Sequence, residues 1–443
     1  MTPTLEHWRA EHRAFGGNGA GGAPAWVREL RETGMDRFAT LGFPTTKQEE
    51  WRLTSVAAIA ETRFTLPHAP RSGAPSAKEI RGHEVCEAGR HLLVFVNGRF
   101  SGALSSVKGL PEGVIVGSLA DVMRTHSDLV RAQLGRHATG EGRPFTALNT
   151  AFLSDGGFVY VPAGVHMPEP VQFLYLTVPG SQPIVSHPRS LVVAERTARC
   201  AVVESYACFG DGVYLTNAVT EIVAGDGARV DCYRVQRESL QAYHVGTTAT
   251  RQGRDSTVHV HPVTFGAALA RHDINVVLDG ENGLALLNGL YVLGGRQHAD
   301  HHTTIDHAKP HCESHEYFNG VLDEQSHGVF NGRIIVRPGA QRTDSKQTNN
   351  NLVLSEEARA DSQPQLEIYA DDVKCTHGAT LGPIDEQAMF YLKSRGVPAA
   401  QARSLLTYGF GAEIIERMGI APLQAQLDRW VRHRLLGAGT QAA

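Results

Sequence analysis

The feature that most restricts the fold of this chain is a long succession of short β-type segments between residues 156 and 376. Runs such as FVYVPAG, TNAVTEIVA, TVHVHPVTF and GRIIVRPG are separated by small polar turns such as GDGA, QGRD and DGENG. Acidic turn residues recur at Asp226, Asp255 and Glu281, roughly every 25 to 30 residues, which is typical of stacked solenoid turns. Because no helical periodicity lies between the segments, a doubly wound α/β fold is excluded.

The same region favours a mainly β fold with a parallel β-helix as its core. Its turns are very small, clear hairpin pairs are missing, and residues 349–351 form a run of three asparagines. These observations leave a β-sandwich or a β-barrel open as alternatives.

The part of the chain before the β region is predicted to be helical, with one hairpin. Apolar residues among charges predict a helix from residue 25 to about residue 41. A second helix is predicted soon after it, with Thr45 or Thr46 as its N-cap. The dipeptide Asn97-Gly98 predicts a β-hairpin, and residues 118–150 return to a helical pattern.

Helices are also predicted after the β region. Asp385 is the expected N-cap of the segment DEQAMFYLKSRG, and Gly396 is its expected C-cap glycine. Two more helices follow, each with a proline near its start. We therefore divide the chain into an N-terminal helical and mixed region, a β-helix core and a C-terminal helical region: 1–155, 156–383 and 384–443.

Composition excludes several classes of function. The net charge is -4 and basic residues are scattered, so no binding to nucleic acid is expected. No apolar stretch of about 18 residues is present, so no membrane span is expected. The 6 cysteines are widely spaced without a CxxC pair, and the N-terminus lacks the apolar segment of a secretory signal. Reduced thiols of this kind predict a cytoplasmic protein.

Motifs for nucleotide chemistry are missing from the sequence. It contains no GxxxxGK[ST] phosphate loop, no GxGxxG between a strand and a helix, and no GxSxG nucleophile elbow. Any nucleotide hydrolysis linked to this chain would have to be performed by a partner.

Cys375 and His377 are the first candidate site, at the end of the β region. Two residues apart on a strand, they point to the same face. A thiol and an imidazole can ligate a metal together, or the imidazole can activate the thiol. Two ligands do not complete a metal site, which usually has four. The alternative is a buried cysteine beside a hydrogen-bonded histidine in the last β turn.

Seven histidines between residues 298 and 327 form a second candidate, with His301, His302 and Cys312 as weak metal candidates. Their side chains suit iron or zinc, which raises the alternative of a metal-dependent enzyme. No HExxH or CxxC spacing fixes a geometry, however. The other interpretation is a structural histidine array within or on the solenoid.

The first C-terminal helix carries the third candidate. Phe390 and Tyr391 are consecutive large residues, and Lys393 and Arg395 follow them. One helix cannot bury all the large residues of this segment on one face, so a docking helix is one interpretation. The alternative is a core helix that packs on the end of the β region.

A resemblance to a known family rests on the run QPQLEIYADDVKCTHGATLGPIDEQAMFYLKSRG. This run closely resembles the C-terminal signature of the SufD branch of the SufB/SufD family, scaffold subunits of the Suf iron–sulfur cluster assembly system. The resemblance continues upstream through KPHCESHEYFNGVLDEQSHGVFNGRIIVRPG and appears again at GFPTTKQEEWRLTS. It is strongest over about residues 300–418. It implies a right-handed parallel β-helix between N-terminal and C-terminal helical domains.

The resemblance also implies a function. The chain would be a non-catalytic scaffold that pairs with a SufB-like paralogue through its β-helix end and recruits a SufC-like ATPase through its C-terminal helices. His377, with Cys375 beside it, would face the nascent cluster at the interface with the paralogue. The implied ATPase contacts are on the first C-terminal helix: Asp385, Phe390, Tyr391, Lys393 and Arg395.

No stably bound cofactor is expected on the isolated chain, and a transient iron–sulfur cluster or iron is expected in the complex. Four points stay open: the iron donor, a flavin in the complex, a homodimer of the isolated chain, and the roles of some cysteines, namely Cys200, Cys208 and Cys232.

Two positions distinguish the branches of the family. The resemblance implies that the SufB branch carries a cysteine and a glutamate at two positions where this chain has Ala358 and Gly378. The absence of both ligands implies the SufD branch, and a chain that does not hold a cluster alone. Thiolates are the usual ligands of iron–sulfur clusters, with histidine a minority option.

Overall fold

The chain folds into a parallel β-solenoid of about eight turns with helices at both ends, which confirms the predicted mainly β fold class. The structure is a computed structural model, and it describes residues 3–17, 22–67, 75–84 and 91–436. Successive strands alternate between two long sheets, so a sandwich or a barrel is excluded.

The helices of the described residues flank the solenoid. The α-helices are α1 (Pro3–Gly17), α2 (Ala25–Leu41), α3 (Ala57–Glu61), α4 (Ala77–Ile80), α5 (Leu119–Thr125), α6 (Ser127–Arg131), α7 (Pro144–Ala151), α8 (Glu386–Ser394), α9 (Ala399–Glu416) and α10 (Ala421–Leu436). Short 3-10 helices span Glu49–Trp51 and Arg81–His83.

The strands divide between the two sheets. One sheet holds β1 (His91–Val96), β2 (Arg99–Phe100), β3 (Ser106–Val107), β6 (Val171–Thr177), β9 (Arg199–Cys208), β11 (Arg229–Arg237), β13 (Thr257–Thr264), β15 (Leu284–Leu293), β17 (Glu313–Leu322), β19 (Asp344–Val353) and β21 (Lys374–Gly382). The other holds β4 (Ile115–Ser118), β5 (Gly157–Val161), β7 (Ile184–Ser186), β8 (Arg189–Ala194), β10 (Tyr214–Ala224), β12 (Tyr243–Gln252), β14 (Leu269–Leu278), β16 (His298–His307), β18 (His327–Val336) and β20 (Arg359–Ile368).

Each turn of the solenoid stacks in register on the one before it. Thr257 pairs with Leu284, and Glu313 pairs with Asp344 two turns later. These partners show one turn per roughly 30 residues, close to the spacing predicted from the acidic turn residues.

One corner of the solenoid repeats the same backbone conformation in turn after turn. A residue with positive φ stands two positions before the next strand, and its N–H donates to the following turn, as from Asp255 to the carbonyl of Glu281 at 2.8 Å. This conformation favours glycine, asparagine and aspartate, but the stacked hydrogen bonds hold other residues in it as well. The corner residues are Thr197, Gly227, Asp255, Asn282, His311 and Arg342.

The asparagine run is hydrogen-bonded on both faces of β19. Asn349 and Asn351 point inward, where the amide of Asn351 donates to Asn349 at 2.7 Å and the hydroxyl of Tyr291 donates to Asn351. Asn350 points outward and donates to Asn319 on the neighbouring strand. The amides of the run are therefore satisfied within β19 and by the neighbouring strands, in the parallel β-helix that the run favoured.

The N-terminal elements cover the early turns and one outer face of the solenoid. The predicted helix at residues 25–41 and the hairpin around Asn97-Gly98 are confirmed. The helix predicted from Thr45 or Thr46 is wrong, because only a single 3-10 turn forms there. The reason is tertiary packing: the buried Trp51 ring lies 3.8 Å from the guanidinium carbon of Arg271 on the solenoid surface.

The C-terminal helices pack on the opposite outer face. Buried Ile414 and Leu427 of α9 and α10 contact a cluster that includes Val263 and Leu290 of the solenoid. The predicted N-cap is confirmed, because the carboxylate of Asp385 accepts from the N–H of Gln387 at 2.8 Å. This packing holds α9 and α10 beside the later turns of the solenoid.

Candidate functional site

The last turn of the solenoid is its one uncovered end within the described residues. Strands β20 and β21 pair only with β18 and β19, and no described strand pairs with their outer edges. The first turns, in contrast, are closed by antiparallel pairs such as β4 with β5. The end therefore presents unpaired backbone groups together with side chains that earlier turns would bury.

Cys375 and His377 point toward the solenoid interior from this last strand. They pair with Ser345 and Gln347, which are buried on the inner face of β19. Because paired residues of a parallel ladder share an orientation, Cys375 and His377 lie on one face, as predicted. No further turn covers them, so both reach the open end.

The two side chains differ in burial. Cys375 is half-buried and packs against a cluster containing Ile334 and Val336. Burial raises the pKa of its thiol, and the nearby carboxylate of Asp344 adds to the rise. His377 is exposed and makes no hydrogen bond with the described residues. Because its pKa is raised, the Cys375 thiol is protonated at neutral pH, and binding to a metal would displace the proton.

A column of polar side chains lies directly beneath His377. Glu316, Gln347 and His377 are paired in register on β17, β19 and β21. Below them the same column is apolar, with Leu287 and Val260. The sequence analysis missed Glu316 and Gln347; counting alternate residues through successive turns would have found them, once the exact register was known.

Glu316 is buried, and no positively charged side chain among the described residues offsets its charge. Burial raises the pKa of Glu316 to about 7, and hydrogen bonding by Thr303 and Gln347 only partly opposes the rise. The amide of Gln347 donates to the Glu316 carboxyl at 2.5 Å. Because ionisation is disfavoured, the folded chain holds this carboxyl partly protonated at neutral pH.

Glu316→Gln should make the stability of the chain less dependent on pH. The pKa of Glu316 rises from 4.5 to about 7 on folding, so the wild-type chain loses stability as the pH rises through that range. The variant should exceed the wild type by less than about 1 kcal/mol at pH 5 and by about 3 kcal/mol at pH 8, measured by urea unfolding. Glu313→Gln, at an exposed position of the same strand, is the control. Equal differences at both pH values would contradict the prediction.

The weak metal candidates are not brought together. His301 is buried on the inner face of β16, where it faces the hydroxyl of Thr264 at 3.2 Å, and the adjacent His302 points outward. Cys312 lies at the corner, where its thiol donates to the carbonyl of Gly280 at 3.2 Å. Among the residues that the structure describes, no group of three or more histidine, cysteine, aspartate or glutamate side chains is placed to hold a metal ion.

The outward-facing part of the histidine cluster attaches the N-terminal segment to the solenoid. Buried Asp300 lies 3.0 Å from His302 and accepts from Arg271 at 2.7 Å and from Thr54 at 2.5 Å. Burial alone would raise the pKa of Asp300, but His302 and Arg271 hold it well below its usual range. His298 also contacts Thr54, at 2.8 Å. This geometry supports the structural interpretation of the array.

Helix α8 carries the predicted docking residues on an unpartnered surface. None of its residues is buried, and Phe390 and Tyr391 are 73% and 57% exposed. Lys393 and Arg395 are also exposed, and the guanidinium of Arg395 lies 5.3 Å from the Tyr391 ring. The alternative of a core helix is therefore wrong.

The cysteines at positions 200, 208 and 232 are packing residues of the solenoid. Cys200 and Cys232 are buried inside the solenoid, Cys208 is half-buried, and all three are free. Burial raises the pKa of each thiol, that of Cys200 to about 12. Cys86 lies outside the described residues. Protonated thiols enclosed in this way behave as small apolar side chains.

The two positions at which the resemblance contrasts this chain with the SufB branch lie on the last turn. Ala358 stands just before β20 and is half-buried, while Gly378 is exposed next to His377. A Cβ at Gly378 would meet nothing within 4 Å, and its φ is not positive. The backbone therefore does not require glycine there, and the missing side chain is a difference in chemistry.

No helix among the described residues is long and apolar enough to cross a membrane.

Two family models and several curated proteins are similar to this chain. Residues 177–410 match the family model described as the SufBD core domain of the SUF system for FeS cluster assembly, and residues 20–173 match that of the SufBD protein N-terminal region. An iron–sulfur cluster assembly SufBD family protein of Synechocystis sp. is 33% identical over 414 residues, 92% of this chain and 90% of the relative.

Two proteins named iron–sulfur cluster assembly protein SufD are also similar. The Escherichia coli protein is 28% identical over 442 residues, which cover 98% of this chain and 97% of the relative. The Bacillus subtilis protein is 29% identical over 416 residues, 91% of this chain and 93% of the relative. The chain therefore belongs to the SufBD family of iron–sulfur cluster assembly proteins.

Proposed function

We propose that this chain is a non-catalytic scaffold subunit of the SufD type, which supplies His377 to a cluster site shared with a SufB-like paralogue. The observation that carries the proposal is the uncovered last turn, with an exposed imidazole and a half-buried thiol on the same face. Two side chains leave a metal site incomplete, so the remaining ligands come from the partner. Iron or a cluster is then held only in the complex.

The open end of the solenoid is suited to the paralogue. The edges of β20 and β21 offer backbone groups for strand pairing, and Tyr369 and Leu381 are each 60% exposed there. Beside them lies a recess of about 550 Å³ lined by residues that include Ala358 and Ala360. An exposed apolar edge of this kind favours pairing with another chain.

The C-terminal helices are suited to an ATPase of the SufC type. The chain itself carries no phosphate-binding loop, so ATP hydrolysis belongs to the partner. Helix α8 offers exposed aromatic residues beside basic ones, a composition typical of binding hot spots. The free cysteines among the described residues fit a reducing, cytoplasmic location.

His377→Ala should lower cluster formation in the assembled complex by at least about tenfold, because loss of a ligand costs at least as much as loss of a supporting group. The variant chain is co-expressed with the paralogue and the ATPase, and iron and acid-labile sulfide are measured per purified complex. Since His377 is exposed, subunit composition and thermal unfolding should not change.

His315→Ala is the matched control, because His315 is a half-exposed histidine on the outer face of β17, away from the last turn. It should give the wild-type cluster yield. A wild-type yield from His377→Ala would show that the histidine has no role in the cluster site. A wild-type chain that captures neither partner would overturn the scaffold proposal itself.

A further inference from the structure

The polar column under His377 consists of three side chains at equivalent positions of successive turns. Each of its three side chains stands in register with the next, so neighbours are about 4.8 Å apart along the ladder. Gln347 is the middle member and is 1% exposed. Its Nε2 donates to the carboxyl of Glu316 below it, which fixes the direction of the amide.

The amide oxygen of Gln347 is left without a partner among the described residues. An amide oxygen buried in this way costs about 1–3 kcal/mol unless a donor reaches it. The side chain that follows in the column, on the side away from Glu316, is the imidazole of His377. In the structure the exposed His377 ring does not reach this oxygen, which becomes available to a ring N–H when the ring turns inward.

On the last two turns of the facing sheet, the described residues at this level carry no side-chain donor. Gly332 lies opposite Gln347, and a Cβ there would come within 1.9 Å of the Gln347 Nε2. The residue paired with Gly332 on the last turn is Pro364, whose side chain has no hydrogen-bond donor. Gly332 gives the long amide the space to cross the interior, and neither Gly332 nor Pro364 offers its oxygen a side-chain donor.

We infer that Gln347 is a positioning residue for His377, with Glu316 holding the amide so that its free oxygen accepts the N–H of one ring nitrogen. The other ring nitrogen is then directed toward the open end, where it is free to bind iron. The inference rests on the proposed function of His377. It adds two buried residues that select the tautomer and the orientation of the ligand.

The physical reason is the same as in other metal sites. A histidine ligand donates its second N–H to an oxygen of the protein, which fixes the ring and increases the basicity of the ligating nitrogen. Loss of that acceptor typically lowers metal affinity by about 10–100-fold. Because the His377 ring is exposed in the separate chain, a hydrogen bond that fixes its orientation has a large effect.

Gln347→Met tests the inference, because methionine has a similar length and no amide oxygen. In the chain labelled with ¹⁵N-histidine at pH 8, the wild-type His377 should show one dominant tautomer, identified by the loss of its signal in His377→Ala. The variant should show a mixture, and cluster yield in the complex should fall by about 10–100-fold. If Gln347→Met does not fold, Gln347→Asn is measured in the same way, because its shorter side chain moves the amide oxygen away from His377.

Gln252→Met is the matched control. Gln252 is also a buried glutamine without a partner for its amide oxygen, and it lies on β12, four strands before the last turn of its sheet. This change should leave both the tautomer of His377 and the cluster yield unaltered.

Exchanging the two residues, Glu316→Gln with Gln347→Glu, keeps an acceptor below His377 and should restore the tautomer and most of the yield. A merely structural role for Gln347 would not predict this recovery. Wild-type tautomer and yield in Gln347→Met, with a low yield in His377→Ala, would overturn the positioning role and leave the proposed function intact. A wild-type yield in His377→Ala would overturn both.

Discussion

Glu221→Ala should lower the free energy of unfolding by about 3–5 kcal/mol, because it leaves a buried arginine without its counter-ion. Glu221 and Arg189 are 0% and 1% exposed and lie 2.7 Å apart between the solenoid and α7. The pair is the electrostatic centre of the contact between the N-terminal region and the early turns.

Both partners also satisfy the surrounding backbone. Glu221 accepts from the N–H groups of Gly135 and His137 at 2.8 and 2.9 Å. Arg189 donates to the side chains of Asn149 and Thr150 of α7. Burial alone would raise the pKa of Glu221, but Arg189 and the backbone donors hold it below its usual value. The contribution is therefore present at neutral pH and is lost as the pH falls through the folded pKa.

Urea unfolding at pH 7, followed by tryptophan fluorescence, measures this effect. Asp279→Ala is the control, because Asp279 pairs with Arg251 at 2.6 Å on the surface, where the side chains are 35% and 55% exposed. An exposed pair contributes less than about 1 kcal/mol. Equal losses in the two variants would show that the buried pair is not what joins the N-terminal region to the solenoid.

The repeat of the β region made the fold predictable from the sequence. The spacing of Asp226, Asp255 and Glu281 and the asparagine run follow directly from stacked turns, and the structure confirms both. Local rules also located Asp385 as a helix cap. The segment after Thr45 escaped such rules, because the burial of Trp51 against Arg271 overrides local preference there.

The candidate site was predictable only in part. Cys375 and His377 share a face because strand geometry requires it, whatever the tertiary structure. Glu316 and Gln347 are 61 and 30 residues before His377, and only the register of three strands places them in one column. The histidines from 298 to 327 show the opposite case, because their composition suggests a metal site. Alternation along β16 places His298 and His302 on one face and His301 and His307 on the other.

Phe390→Ala combined with Tyr391→Ala should weaken binding of the proposed ATPase partner by about 1000-fold. Each aromatic side chain at the centre of an interface is worth at least about 2 kcal/mol, so the two together give about 4 kcal/mol. Both residues are largely exposed on α8, and no residue of that helix is buried. The isolated chain should therefore unfold at the same urea concentration as the wild type.

The affinity of the purified chain for the ATPase, measured by calorimetry, tests this prediction. Leu240→Ala is the matched control, because Leu240 is a large apolar residue, 55% exposed, outside the C-terminal helices. Its affinity should be that of the wild type. Wild-type affinity in the double variant would instead assign the ATPase contact to another surface, such as the exposed Leu405 of α9.

The position of α8 explains why this contact would matter for cluster assembly. The helix begins four residues after the end of β21, the strand that carries Cys375 and His377. Only Pro383, Ile384 and the N-cap Asp385 separate the two elements. A partner that moves α8 therefore acts on a short connection to the last turn. The double variant should lower cluster yield through loss of the ATPase, whereas His377→Ala should lower it with the ATPase still bound.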